Sequence, residues 1–304
     1  MKIINDFFTD ELNNATSVTI GKFDGFHRGH ELLLEKIKSS KYESLVVTFD
    51  VSPRFVTGDD EIGYNLITLK ERMHLLDKEK IDNVLVCEFD ERFMKTEPEE
   101  FVRILCDRFS MKELVVGTDF VFGYKGKGNI ELLKKLASEL DFSLIVVDKL
   151  QDEGRDISSS LVRTLIKEGN IKKANELLGY NFFVWGQILH GKKLGRKMGI
   201  PTINLKPDDD KILPKFGVYL TKVYVEDKVY SGITNIGVRP TVDDGNKPTV
   251  ETNILMFDGD IYGESARVEF LEFVRSEMKF ESVDDLKKQI ESDKAKALCY
   301  FRFT

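Results

Sequence analysis

Four short runs in the first half of the chain have no polar face: Leu45-Val46-Val47-Thr48-Phe49, Val84-Leu85-Val86-Cys87, Leu114-Val115-Val116-Gly117 and Leu144-Ile145-Val146-Val147. Side chains alternate between the faces of a strand, so a run apolar at successive positions is buried on both sides. Segments of helical length separate these runs. One opens with Thr96-Glu97-Pro98-Glu99, read as a capping box with proline in the first turn, and another spans 130–140. Helices alternating with fully buried strands specify a parallel sheet covered on each side. The first half is therefore predicted to be a doubly wound α/β domain, whose ligands sit at the carboxyl ends of its strands.

After Leu178-Gly179 the period changes. Residues 218–225 and 229–236 flank Glu226-Asp227-Lys228, while 250–257 and 261–273 flank Asp258-Gly259-Asp260, which predicts successive antiparallel hairpins. One clear helix follows from about residue 283 to 298, with Val283, Leu286, Ile290 and Ala297 at helical spacing and Ser282 as its cap. The second half is predicted to be a small antiparallel barrel or sandwich closed by that helix. At 304 residues, two domains are the expectation.

The formal charge of −7 is spread along the chain, with no basic stripe of the kind that binds nucleic acid, so small-molecule partners are expected. Cys87, Cys106 and Cys299 are odd in number and lack a Cys-x-x-Cys spacing, which argues against a disulfide framework or structural zinc and fits a reducing cytoplasm. The amino terminus carries acidic residues where a signal peptide has an apolar core, and no apolar run approaches membrane-spanning length, so neither membrane nor export is expected. Oligomeric state is left open.

Chemistry concentrates in GKFDGFHRGH, residues 21–30, which hold two of the four histidines and three glycines. The stretch follows a β-branched run, Ser17-Val18-Thr19-Ile20, and precedes Leu32, Leu33, Leu34 and Ile37 at helical spacing, so it is a strand-to-helix turn. Glycines admit close approach of a ligand, and a helix amino end offers unpaired N–H groups to phosphate. His27 and His30 there can donate to a phosphate gaining charge. An isolated His-x-Gly-His is equally compatible with a solvated connection.

Five weaker signals lie downstream. GTDFVFGYKGKG, residues 117–128, follows a predicted strand and can wrap a nucleotide or be a plain loop. ISSSLVR, 157–163, opens a helix with hydroxyls and Arg163, suited to a triphosphate or to capping alone. GQILHGKK, 186–193, nearly matches a P-loop, but Lys193 replaces its hydroxyl and no amphipathic helix follows, so that reading is rejected. Thr202 and Asn204, two apart in an extended segment, share a face and can offer neutral oxygens to a phosphate-bound magnesium, or belong to a loop followed by an ordinary strand. Glu251 lies in an alternating segment, on a solvated face or as a general base toward a hydroxyl.

Taken in order along nearly the whole chain, these stretches resemble the bacterial bifunctional FAD synthetases, which join an FMN adenylyltransferase of the nucleotidyltransferase superfamily to a riboflavin kinase. GKFDGFHRGH resembles that superfamily's His-x-Gly-His signature. GTDFVFG and ISSSLVR resemble its later nucleotide elements, and HGKKLGRKMGIPTINL, NIGVRPTV, VETNIL, DGDIYGE and RSEMKFES resemble the kinase blocks. The resemblance implies domains at 1–180 and 181–304, with ATP and Mg2+ required and FMN and FAD as products. It implies that His27 and His30 stabilise the transferred α-phosphate and that Glu251 is the kinase base, with Thr202 and Asn204 at the metal. Gly21, Phe23, Asp24, Gly25, Gly29, Ser158, Ser159, Ser160, Arg163, Gly191, Lys192, Gly195 and Arg196 are the implied nucleotide contacts. Asp119, Phe120, Arg275 and Phe280 are the implied flavin contacts.

Three positions depart from the pattern. Thr48-Phe49-Asp50-Val51-Ser52-Pro53 stands where Thr-Phe-x-Pro-His-Pro is usual, so one proline and a histidine are lost, Ser160 replaces threonine, and Ile203 replaces alanine. At this point a kinase with a silent adenylyltransferase half, or a flavin-binding protein without turnover, remains an alternative.

Overall fold

The computed structural model describes residues 1–50, 65–189, 202–238, 248–257 and 259–303. The chain divides into two compact units, Met1–Ser159 and Ser160–Thr304. In the first, β1 (Lys2–Ile4), β2 (Thr16–Ile20), β3 (Glu43–Phe49), β4 (Asn83–Cys87), β5 (Met111–Gly117) and β6 (Ser143–Val147) form one sheet in the order β1-β4-β3-β2-β5-β6, parallel throughout. All four predicted apolar runs are strands of it. The short edge strand β1 went unread, since three residues are too few to display a period.

Alternation explains the two covered faces. Val18, Ile20, Leu45, Val47, Leu85, Leu114 and Val116 join one core with Phe101, Val102 and Leu105 of one helix (Pro98–Arg108) and Leu133 and Leu136 of another (Ile130–Leu140). The intervening Val46, Val84 and Val115 are fully buried on the opposite face, where α1 (Arg28–Lys38) packs with Leu34 and Ile37 inward. Between these in sequence come α2 (Leu69–Lys78) and the short α3 (Glu91–Met94), so the two helices beneath the first face are α4 and α5. The capping box expected at Thr96 is not formed: Glu97 is the cap residue, without a side-chain bond, and the Thr96 hydroxyl donates to Arg92 O of α3. Proline does occupy the first turn. A capping box is instead made by Thr68 and Glu71 at the start of α2.

The small antiparallel pair β7 (Gln151–Asp152) and β8 (Arg155–Asp156) leads into α6 (Ser159–Glu168) and α7 (Ile171–Leu178). Then β9 (Phe183–Leu189), β10 (Ile203–Pro207), β11 (Gly217–Val225), β12 (Lys228–Val238), β13 (Pro248–Ile254) and β14 (Ser265–Ser276) close a barrel in the order β10-β13-β12-β11-β14-β9, and α8 (Val283–Phe303) follows. The predicted β11–β12 hairpin is present. The second predicted hairpin is not: β13 pairs with β12 and β10, whereas β14 pairs with β11 and β9. Closing the barrel places β12 and β11 between the two segments that the sequence set side by side.

The barrel interior carries Tyr219 and Phe270 edge to face and a ladder of fully buried hydroxyls. Thr221 Oγ1 lies 2.8 Å from Thr234 Oγ1, which lies 2.8 Å from Thr252 Oγ1. On the outside, Val218, Leu220, Ile233 and Leu255 receive Ala297, Tyr300 and Phe301 of α8. Ser282 caps that helix by accepting from Asp285 N, while Val283 stays 60% exposed and contributes nothing to the seam.

Candidate active site

Strand order decides where the first unit binds. From β2 the chain steps outward through β3 to β4, then returns to β5 on the other side of β2, so the order reverses between β2 and β5. A crevice opens at the carboxyl ends where such a reversal occurs. The turn 21–30 leaves β2 at that point and the loop after Gly117 leaves β5 beside it.

The turn is tightly built. Phe23 and Phe26 have φ of 49° and 41°, and Gly25 has φ of 90°, so two bulky residues hold left-handed conformations that only dense surroundings sustain. Phe23 is buried against Phe26 and the ring of His30. His27 is the cap residue of α1 and His30 its third residue, which stacks the two imidazoles with centroids 3.7 Å apart and planes 19° from parallel. Gly29 makes room for this: a Cβ there would lie 3.1 Å from His27 Nδ1.

Burial sets the protonation. It holds His27 down to about 4, and it holds His30 well below the ordinary imidazole value, helped by the nearby charges of His27 and Arg72. Both rings are therefore neutral near pH 7 and carry one N–H each. Each Nδ1 is buried without a hydrogen-bond partner among the described residues.

Neighbouring segments converge on the turn. Ser159 Oγ donates to Asp24 O at 2.6 Å, and Ile157 O lies 3.7 Å from the position of a Gly29 Cβ. The Asp24 carboxylate faces inward, accepting from Leu66 N (2.7 Å) and Ile67 N (3.2 Å), with Lys22 Nζ at 3.6 Å. Asp119 is exposed and ion-paired to Lys149 at 2.9 Å, while Phe120 stacks on the buried Phe122. Ser160 and Arg163 follow on α6, in the second unit.

Arg72 was missed from the sequence. It is 2% exposed on α2, and its Nη1 donates to Thr48 Oγ1 (2.9 Å) and Phe49 O (2.7 Å) at the carboxyl end of β3. Only the third dimension brings this cation toward the histidine turn.

In the barrel, register assembles a row on the outer face. Leu189, Asn204, Glu251, Asn235, Val218 and Arg275 are successive cross-strand partners. Directly opposed residues of neighbouring strands sit side by side, so Glu251 stands between two carboxamides. Ile203, paired with Thr252, is buried on the other face, as expected for a residue between two outward-facing donors. The oxygen-bearing set of Asn204 and Glu251 is of the hard kind that suits magnesium. Thr202 precedes β10, and Phe280 is half-buried in the connection between β14 and α8. Gly191, Lys192, Gly195 and Arg196 lie outside the described residues, as do Val51 and Ser52.

The family model described as FAD synthetase matches residues 9–161, and that described as riboflavin kinase matches residues 178–301. A bifunctional riboflavin kinase/FMN adenylyltransferase of Bacillus subtilis is 34% identical over 293 residues, covering 93% of this chain and 92% of that protein. The chain belongs to the bifunctional riboflavin kinase/FMN adenylyltransferase family. The Escherichia coli K12 protein of the same name is 34% identical, covering 94% of this chain and 93% of its own. A crystal structure described as a macrolide-efflux protein from Streptococcus pneumoniae superimposes with a TM-score of 0.86 at 29% identity, covering 97% of this chain and 98% of that one. Among the described residues no helix is long and apolar enough to cross a membrane.

Two more polar residues of this family member lie on the kinase half without having been singled out. Asn235 is opposite Glu251, and Asp293 of α8 grips Arg275. Asp293 did carry a signal, since it continues the spacing of Leu286 and Ile290 along the stripe that ends in Ala297.

Proposed function

We infer that this chain makes FAD from riboflavin in two ATP-dependent steps. In the first, the ribityl 5′-hydroxyl attacks the γ-phosphorus of ATP and ADP leaves, giving FMN. In the second, an FMN phosphate oxygen attacks the α-phosphorus of a second ATP and pyrophosphate leaves. The observation that carries this reading is that the two family matches follow one another along the chain, the first over the histidine turn and five strands of the parallel sheet and the second over the closed barrel with its polar row.

The assignment of residues is our proposal. His27 and His30 donate from neutral imidazole N–H groups to the α-phosphate as its charge grows, which preorganised donors do without reorganising. Gly21, Phe23, Gly25 and Gly29 shape the turn, and Asp24 holds it to the segment before α2. Ser158, Ser159, Ser160 and Arg163 attend the triphosphate, and Asp119 and Phe120 the flavin. The adenylyltransferase half runs to residue 180 and the kinase half from 181. There Glu251 takes the hydroxyl proton, Arg275 and Phe280 border the flavin, and Gly191, Lys192, Gly195 and Arg196 serve the nucleotide. Thr202 and Asn204 would hold Mg2+, which supplies charge neutralisation on the phosphates.

Positioning and electrostatics suffice for both steps, and no covalent enzyme intermediate is needed. We place the protein in the cytoplasm, in keeping with three free cysteines. Its partners are riboflavin, FMN and ATP rather than nucleic acid or membrane. Separating the products of riboflavin and Mg-ATP by chromatography tests the reading. FAD is expected, whereas FMN alone would mean a silent first half, and unchanged riboflavin would mean a binding protein without turnover.

A further inference from the structure

The seam between α8 and the barrel joins apolar side chains to one buried ion pair, Arg275 with Asp293. Asp293, 3% exposed, accepts from Arg275 Nε at 3.0 Å and Nη2 at 2.8 Å through Oδ2, and from Gln289 Nε2 at 2.9 Å through Oδ1. Arg275 Nη1 donates to Ser276 O at 3.1 Å. The guanidinium is thereby fixed on three of its donors, and the carboxylate has both oxygens engaged.

Stability alone is a poor account of this pair. Removing two charges from water costs several kcal/mol per ion, and a well-packed apolar pair often serves a seam equally well. The position of Arg275 supplies another account. It stands in the cross-strand row that holds Asn204, Glu251 and Asn235, at the end nearest α8. A guanidinium has five donors in a rigid fork, so holding one side of it aims the rest.

We propose that Asp293 is a positioning residue of the kinase half: it fixes the Arg275 fork in the row bearing Glu251, which makes α8 part of the flavin-phosphorylating site rather than only a cover for the barrel. The proposal rests on the reading above that Arg275 borders the flavin. Gln289 completes the support by fixing the second carboxylate oxygen. Because the pair acts as a unit, loss of either member has the same consequence for the substrate.

The test uses the full chain and compares Asp293→Asn, Arg275→Lys and the double variant in steady-state formation of FMN, with FAD formation from supplied FMN as control. Each single variant is expected to raise KM for riboflavin about tenfold or more with KM for ATP unchanged, and the double variant to be no worse than either, as for residues acting as one unit. A helix that merely covers the barrel would lower the melting temperature without separating the two KM values. Native kinetics in Arg275→Lys would overturn the flavin assignment and the proposal with it. Impairment in Arg275→Lys but not Asp293→Asn would overturn the proposal alone, as would additive losses in the double variant. Should Asp293→Asn fail to fold, Gln289→Leu removes only the Oδ1 donor. A smaller rise in the riboflavin KM is then expected, and no rise would overturn the proposal.

Discussion

Gly29 is the second residue of α1, and a Cβ placed there would meet His27 Nδ1 at 3.1 Å and Cε1 at 3.2 Å. Its backbone demands no left-handed conformation, so alanine is free to enter without strain. The cost falls on the imidazole, which must yield by a few tenths of an ångström and press on His30, its stacking partner at 3.7 Å. A misplacement of about 1 Å costs roughly a hundredfold in rate, and losing a donor outright costs about 10²–10³. A partial displacement is thus expected to slow FAD formation about tenfold, roughly 1.4 kcal/mol in the barrier. Stability should move the other way, because alanine is favoured over glycine in a helix by about 0.5–1 kcal/mol. The assay follows FAD from supplied FMN and Mg-ATP, with FMN formation in the same sample and calorimetric unfolding alongside. An unchanged adenylylation rate in Gly29→Ala would refute the claim that this glycine exists to seat His27. A fall in melting temperature with equal loss of both activities would show that the site is needed for folding instead.

His30→Ala should slow FAD formation by about two to three orders of magnitude through turnover rather than ATP binding, with FMN output unchanged; a KM effect alone would make His30 a shaping residue. Glu251→Gln should abolish FMN formation and spare adenylylation of supplied FMN, and loss of both with native circular dichroism would sink the division of labour. The depressed basicity of His27 and His30 means that the unfolded chain binds their protons more tightly. Their contribution is complete above pH 6.5 and is lost as pH falls toward about 4, with His27 worth up to about 3 kcal/mol. Urea unfolding at pH 7.5 and 5 should show that loss, and His27→Gln should reduce it. Thr234→Val removes the middle of the hydroxyl ladder and should cost about 1–3 kcal/mol in urea unfolding with kinase kinetics little changed, whereas native stability would show the ladder to be dispensable.

Local periodicity was enough to read the four apolar strands, the histidine turn, the β11–β12 hairpin and the terminal helix, because burial of one face or both leaves its mark on consecutive residues. Pairing between distant segments leaves no such mark. The run at 261–273 looks like the return strand of 250–257, yet closure of the barrel sends it to β11 and β9. The Thr96 hydroxyl had a cap written into its spacing and was taken by Arg92 O of the preceding helix. Glu251 was visible as a carboxylate in an alternating segment, but only register puts Asn204 and Asn235 on either side of it and Arg275 farther along the same row. Likewise His27 and His30 were legible as a motif, while their neutrality was not. Residue type determines what a side chain can donate or accept, and the packing of residues remote in the chain determines its charge, its neighbours and its direction.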